Sequence, residues 1–322
     1  MSMSNQILEK LGNIIHNDAQ MQFVNTDILY DNIVRLKKTK LNILLVGATG
    51  SGKSSTINAL FDTKMAKVGY SPDPETASIQ KFEMDNLVLW DTPGLGDSPE
   101  NDKNYAIQIS NALKAVDENG NLLIDEVLVL VDGSNRDMRT TYELIENVIV
   151  PFIGDAKRIV VGINQCDIAL KGKYWDYINN KPQTELLSFL DEKVVSVRNR
   201  IMESTNVSVM PVYYSALYGY NISKLLLTMI RSIPQTKRHL LLDSLNKNPE
   251  IWKKNDGVEN YNGEIQSEME VSLSHVLEEA AKGAVAGATI GSLIPMIGTV
   301  VGATVGAALG FLGGITEKNK QK

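Results

Sequence analysis

From residue 41 onward, blocks of apolar residues alternate with amphipathic segments. Short runs rich in Val, Ile and Leu stand at 41–46, 79–84, 87–90, 126–131, 158–163 and 208–214 and predict strands. Segments with helical spacing fill most of the gaps, at 53–61, 103–116, 138–149, 184–203 and 221–232. Strands that are apolar on both faces belong to a sheet covered on both sides, so a mostly parallel sheet with crossover helices is expected. Only Asp85 and Asn86 separate the runs at 79–84 and 87–90, which predicts a hairpin and one antiparallel edge strand. Upstream, Ile7, Leu8, Leu11, Ile14 and Ile15, then Ile28, Leu29, Ile33, Val34 and Leu36, recur at helical spacing and predict N-terminal helices.

Past residue 234 the pattern changes twice. Residues 235–270 are polar and Asn-rich, with Pro249, Gly257 and Gly263, and predict a partly helical connector. Residues 283–315 then contain no charged side chain, and nine of them are glycine. Gly283, Gly287 and Gly291 are four apart, and after Pro295 the spacing resumes at Gly298, Gly302, Gly306, Gly310 and Gly314. Such spacing keeps the glycines near one helix face, where missing side chains allow close approach of a second helix. Pro295 stops the first run, so a glycine-zipper helical hairpin with arms near 276–293 and 297–315 is expected. The expected organisation is N-terminal helices over 1–40, an α/β domain over 41–234, a connector over 235–270 and the glycine-rich hairpin over 271–322.

The first candidate chemistry lies where the run 41–46 meets a predicted helix. Gly47, Ala48, Thr49, Gly50, Ser51, Gly52, Lys53, Ser54 and Ser55 fit the phosphate-binding loop G-x-x-x-x-G-K-[ST] in the strand–loop–helix setting it needs. Glycines allow backbone angles that turn successive N–H groups toward an anion. Lys53 brings a charge for the β- and γ-phosphates, Ser54 a hydroxyl for Mg²⁺, and the helix its positive end.

Four later segments choose among nucleotides. Asp91, Thr92, Pro93 and Gly94 follow an apolar strand; Asp91 is placed to hold Mg²⁺ through a water, and Gly94 lets a backbone N–H approach the γ-phosphate. Thr76, in the loop between the first helix and the next strand, is the candidate to ligate Mg²⁺ in the triphosphate state, with Thr63 and Ser78 as neighbouring alternatives. Asn164, Gln165, Cys166 and Asp167 end the strand 158–163. The Asp167 carboxylate suits the two N–H donors of guanine, which adenine lacks. Ser215 and Ala216 end the last strand, where a backbone N–H can support the guanine oxygen.

Together these residues resemble the translation-factor-related (TRAFAC) P-loop GTPases, in their Era-like branch. The wording from Gly47 to Leu60, followed by Asp73, Pro74, Glu75 and Thr76, is similar to the bacterial "50S ribosome-binding-type" GTPases and to the vertebrate immunity-related GTPases. The resemblance implies a Rossmann-like G domain, GTP and GDP as ligands, Mg²⁺, slow GTP hydrolysis and a nucleotide-controlled switch. Lys53, Thr76 and Gly94 are its implied catalytic residues. Ser54, Thr76 and Asp91 are the implied metal ligands, and residues 47–55, Asn164, Gln165, Asp167, Ser215 and Ala216 the nucleotide-binding ones.

Three departures modify this. Leu95 stands where a Ras-like protein carries the glutamine that orients water, so help in trans from a second protomer or an activating partner is expected, with Arg136 and Arg139 as candidate donors beside the plainer reading of solvated helix-start arginines. Gln165 replaces the usual lysine, and Gly50 replaces the asparagine of potassium-activated relatives, so no potassium dependence is expected.

Net charge is −6, which argues against a nucleic-acid partner. The single cysteine, Cys166, allows no internal disulfide and suits a reducing compartment. No secretory leader is visible at residues 1–6, so a cytoplasmic protein is expected, peripheral or hairpin-inserted at a membrane. The second hairpin arm would span about 28 Å, near a bilayer core, while the uncharged part of the first is shorter. Membrane insertion, docking on the G domain and self-association all fit the glycine stripe. A ribosome-assembly GTPase, a non-catalytic GTP-binding module and a membrane-perturbing effector with a regulatory G domain are the competing functions.

Overall fold

The computed structural model describes residues 8–9, 25–63, 67–69, 79–96, 98–135, 138–282, 299, 301–303 and 305–312. Helix α1 (Thr26–Lys37) leads into β1 (Leu41–Gly47) and α2 (Lys53–Leu60). Strands β2 (Lys67–Gly69), β3 (Gln80–Met84) and β4 (Leu87–Asp91) follow, then α3 (Pro99–Lys114) and β5 (Glu126–Asp132). After a helical segment beginning with α4 (Arg139–Leu144) come β6 (Ile159–Asn164), a small hairpin of β7 (Trp175–Asp176) and β8 (Lys181–Pro182), α5 (Thr184–Thr205), β9 (Val212–Tyr213), α6 (Ile222–Ser232) and α7 (Tyr261–Ala281).

The main sheet runs β2-β3-β4-β1-β5-β6-β9. β4, β1, β5, β6 and β9 are parallel; β3 is antiparallel to β4, and β2, antiparallel to β3, runs with the others. The mostly parallel α/β architecture and its single reversed strand agree with the sequence, but that strand, β3, is not at the edge, because β2 lies outside it. β2 is three residues long, too short to leave a periodic signal. The run 208–214 yields only the two-residue edge strand β9, because Pro211 lacks the N–H that a ladder needs. α3 starts at Pro99, earlier than the apolar spacing suggests, since Ser98 accepts the Asn101 N–H at 3.2 Å and proline fits the first turn.

Alternation along the central strands divides the core. Leu41, Ile43, Leu45, Leu128 and Leu130 face one layer with α2, α6 and α7; Leu44, Val46, Val127, Val129 and Val131 face the other with α3 and α5.

The stretch after 234, polar by composition, is folded into the first layer. Leu240, Leu241, Leu242, Leu245 and Trp252 are all buried. A short backbone ladder ties it to the end of α2: Asp62 N–H donates to Ser244 at 2.8 Å and Asn246 N–H to Leu60 at 2.9 Å. α7 buries Tyr261, Ile265, Met269, Leu273, Val276 and Leu277, a helical stripe that runs unbroken through residue 270. Asn32 of α1 caps its end, donating to the carbonyls of Ala280 (3.1 Å) and Lys282 (3.0 Å).

Of the glycine-rich tail, residues 301–303 and 305–309 are helical and end in the turn Gly310–Leu312. Val301, Val305, Ala308, Leu309 and Leu312 are buried in the same core layer. Asn262 donates to the Leu312 carbonyl at 2.7 Å, and the Phe311 and Trp252 ring centroids are 6.1 Å apart. A Cβ built on Gly302 or Gly310 meets no described atom within 4 Å. The expected first arm, 283–293, lies outside the described residues. No described helix is long and apolar enough to cross a membrane.

At the opposite sheet end from the phosphate loop, Glu126 opens β5 fully buried, with Ser232 donating to Oε2 and no partner at Oε1. Burial pushes its carboxyl up to about 8, opposed by the Ser232 bond and reinforced by the neighbouring Asp125 charge.

Candidate nucleotide-binding site

The chain leaves β1 at Gly47 and turns into α2 through two left-handed glycines, Gly50 (φ 80°) and Gly52 (φ 85°). A side chain at Gly52 would also collide with Asn164, whose Nδ2 lies 2.2 Å from the added carbon. Lys53 curls back over the loop and donates to the carbonyls of Gly47 (3.0 Å) and Ala48 (3.2 Å). Its ammonium therefore sits at the loop rather than in solvent. Ser54 and Ser55 are exposed on the first turn of α2, beside the free N–H groups of the helix start.

The segment after β4 braces this loop. Thr49 N–H donates to Leu95 at 2.8 Å, and Leu95 N–H to Gly47 at 3.3 Å. Leu95 thus serves through its backbone, and its side chain is buried among core residues. Gly94 passes so close that an added Cβ would stand 2.3 Å from Thr49 Oγ1 and 2.6 Å from Thr49 Cα.

Asp91 ends β4 with Oδ1 buried and unpartnered. Burial raises its carboxyl above the usual range, and the nearby Lys53 ammonium works against that rise. An orphaned carboxylate oxygen near the phosphate loop, with the Ser54 hydroxyl on the adjoining helix turn, fits Mg²⁺, a hard cation held by oxygens and waters. Thr76, its alternative Ser78 and Arg136 lie outside the described residues, whereas the other alternative, Thr63, donates to Asn58 at 2.8 Å. Arg139 is 82% exposed and paired with Glu143 on its own helix at 2.7 Å.

The segments expected to recognise the base meet at Asn164. Its Nδ2 donates to Ser51 O at 3.1 Å, and its Oδ1 accepts the Ala216 N–H at 3.1 Å. One buried side chain thus fastens the phosphate loop to the Ser215–Ala216 turn. Gln165, left-handed at φ 62°, donates to Gly50 O at 2.6 Å, so the residue standing in for lysine also leans on the loop. Asp167 is buried, 4% exposed, just beyond. Ser215 is buried and accepts the Tyr218 N–H at 3.2 Å. The Ala216 N–H, expected to face a base oxygen, is directed at Asn164 here. Two contributors escape sequence reading. Gly133 donates to Asn164 O at 2.7 Å, and Lys193 holds the loop on which Gly133 lies. Their only sequence signals are a glycine after a strand and a lysine on an apolar helix face.

Residues 42–165 match the family described as 50S ribosome-binding GTPase. Over these residues the chain is similar to that family. GTPase Der of Deinococcus deserti is 25% identical over 228 residues, covering 69% of this chain and 45% of that protein. Probable GTP-binding protein EngB of Bdellovibrio bacteriovorus is 36% identical over 77 residues, 24% of this chain and 37% of the relative. The chain thus spans less than half the length of these curated relatives. Among solved structures, the G domain of the T. maritima FeoB iron transporter is 17% identical, with 60% of this chain and 98% of that one covered and a TM-score of 0.36. Within the matched residues, Asn164 is fastened to the phosphate loop at Ser51, and Asp91 keeps a buried, unpartnered carboxylate oxygen.

Proposed function

We propose that the protein is a GTP-binding, GTP-hydrolysing switch. The observation that carries this reading is Asn164, which joins the phosphate loop at Ser51 to the Ala216 turn, with the buried Asp167 three residues on in the chain. Residues 47–55 would hold the phosphates, Asn164, Gln165, Asp167, Ser215 and Ala216 the base. Asp91, Ser54 and Thr76 would hold Mg²⁺, which supplies charge neutralisation at the phosphates. Lys53 supplies fixed charge, and Gly94, pinned against Thr49, gives its N–H to the γ-phosphate end. The test is Asp167→Asn. An amide can donate to the C2 oxygen of xanthine but cannot accept both guanine donors, so GDP binding should fall about 100-fold and XDP binding rise. Unchanged preference for GDP over XDP would refute the base assignment.

Hydrolysis is proposed to need help in trans, because the buried Leu95 cannot orient water. Turnover per molecule should then climb with protein concentration; brisk turnover that survives dilution would refute it. Packing of residues 301–312 against Trp252 and Asn262 favours a docked tail, and we propose that membrane association, at a cytoplasmic surface, belongs to a state in which this tail is released. Sedimentation with anionic liposomes, in GDP and in a GTP analogue, tests it; a protein absent from the pellet in both states would sink it.

A further inference from the structure

Helix α5 packs on the sheet through Leu186, Leu190, Val197 and Ile201. The missing member of that stripe, three residues after Leu190 and four before Val197, is Lys193. Lys193 is half-buried on this stripe, and drawing an ammonium toward apolar surroundings is costly unless it is hydrogen-bonded. Its bonds are made at the end of β5. Lys193 Nζ donates to Gly133 O at 2.5 Å and to Asn135 O at 2.8 Å. The same loop is fixed from inside by Asp132, which accepts from the Ser134 N–H at 2.8 Å and its hydroxyl at 2.7 Å.

What this clamped loop touches is Asn164. The Gly133 N–H donates to Asn164 O at 2.7 Å, and a Cβ on Gly133 would lie 2.5 Å from that oxygen. Asn164 then spans Ser51 and Ala216 with its side chain. We propose that Lys193 is a positioning residue for guanine-nucleotide retention, acting through Gly133 on the backbone of Asn164; this rests on the guanine reading above. Its two charge-assisted bonds fix the loop that sets where Asn164 stands.

The substitution Lys193→Met tests it cleanly. Methionine keeps most of the stem on an apolar stripe and removes only the donors. A merely structural lysine would leave nucleotide release unaltered. A positioning lysine gives the opposite pattern: urea midpoint of the nucleotide-free protein unchanged or raised, and release of a fluorescent GDP analogue faster by about tenfold. KM for GTP should rise by a similar factor while kcat at saturation holds. Lys193→Arg, which retains donors, should restore slow release. Should Lys193→Met fail to fold, Lys193→Leu, which likewise lacks donors, carries the same expectation. Release within twofold of wild type overturns the proposal. Failure of the wild-type chain to bind GDP at all would instead refute the guanine reading, so the two failures are distinguishable.

Discussion

Glu126 makes stability depend on pH in a direction that can be worked out. Its carboxyl titrates near 4.5 in the ordinary state and is pushed up to about 8 when buried. Between those values the unfolded chain has released the proton and the folded chain keeps it. The unfolded state then binds fewer protons, so stability is fully present below pH 4.5 and falls as pH rises, by about 1.4 kcal/mol per pH unit, until the folded group itself ionises near 8. At pH 7 the loss is on the order of 3 kcal/mol, a sizeable part of the roughly 5–15 kcal/mol that holds an ordinary domain. Ser232 bonds Glu126 itself, while the adjoining Asp125 pairs with Lys237 and its carbonyl accepts from Arg158. Glu126→Gln keeps the shape and a neutral partner for Ser232, and removes the titration. Urea unfolding of both proteins from pH 5 to 8.5 gives the difference in stability at each pH. That difference should move steadily in favour of Glu126→Gln as pH rises. A flat difference across this range would refute the burial argument.

Asp91→Asn should separate stability from chemistry. Because burial disfavours the Asp91 carboxylate, the nucleotide-free variant should melt no lower than wild type, while Mg²⁺-dependent GTP turnover falls by roughly 100-fold or more. Gly94→Ala forces a carbon to within 2.3 Å of Thr49 Oγ1 and 2.6 Å of its Cα, so the loop must shift. A displacement near 1 Å should cost about 100-fold in turnover at saturating GTP, and a variant with wild-type turnover would show that the contact is not needed.

The central strands were legible because covered strands are apolar on both faces, and β1, β5 and β6 are buried along nearly their whole lengths. The phosphate loop was legible because its glycines and lysine are required at fixed spacing. The edge strand β2 was not, being only Lys67–Gly69. Residues 235–252 read as a connector because their apolar residues are few; yet Leu240, Leu241 and Leu242 sit together, and they fold as a tight 3₁₀ segment rather than a periodic helix. Leu95 was noticed for what its side chain cannot do, while its backbone bracing of Thr49 and Gly47 depends on strand order. The support of Asn164 by Gly133 and Lys193 joins positions about 30 and 60 residues apart, which no local pattern records.

The ladder joining Phe61 and Asp62 to Ser244, Leu245 and Asn246 makes the rear of α2 and the C-terminal third one cooperative unit. The amides of Asp62 and Asn246 lie on that seam, so they should exchange with deuterium at matched rates, both set by opening of the whole unit. A polypeptide ended after Ile233, where the crossover pattern stops, would leave Leu60 and Phe61 without the cover of Leu245. Such a truncated domain would keep every nucleotide motif and still present a greasy rear face prone to self-adhesion.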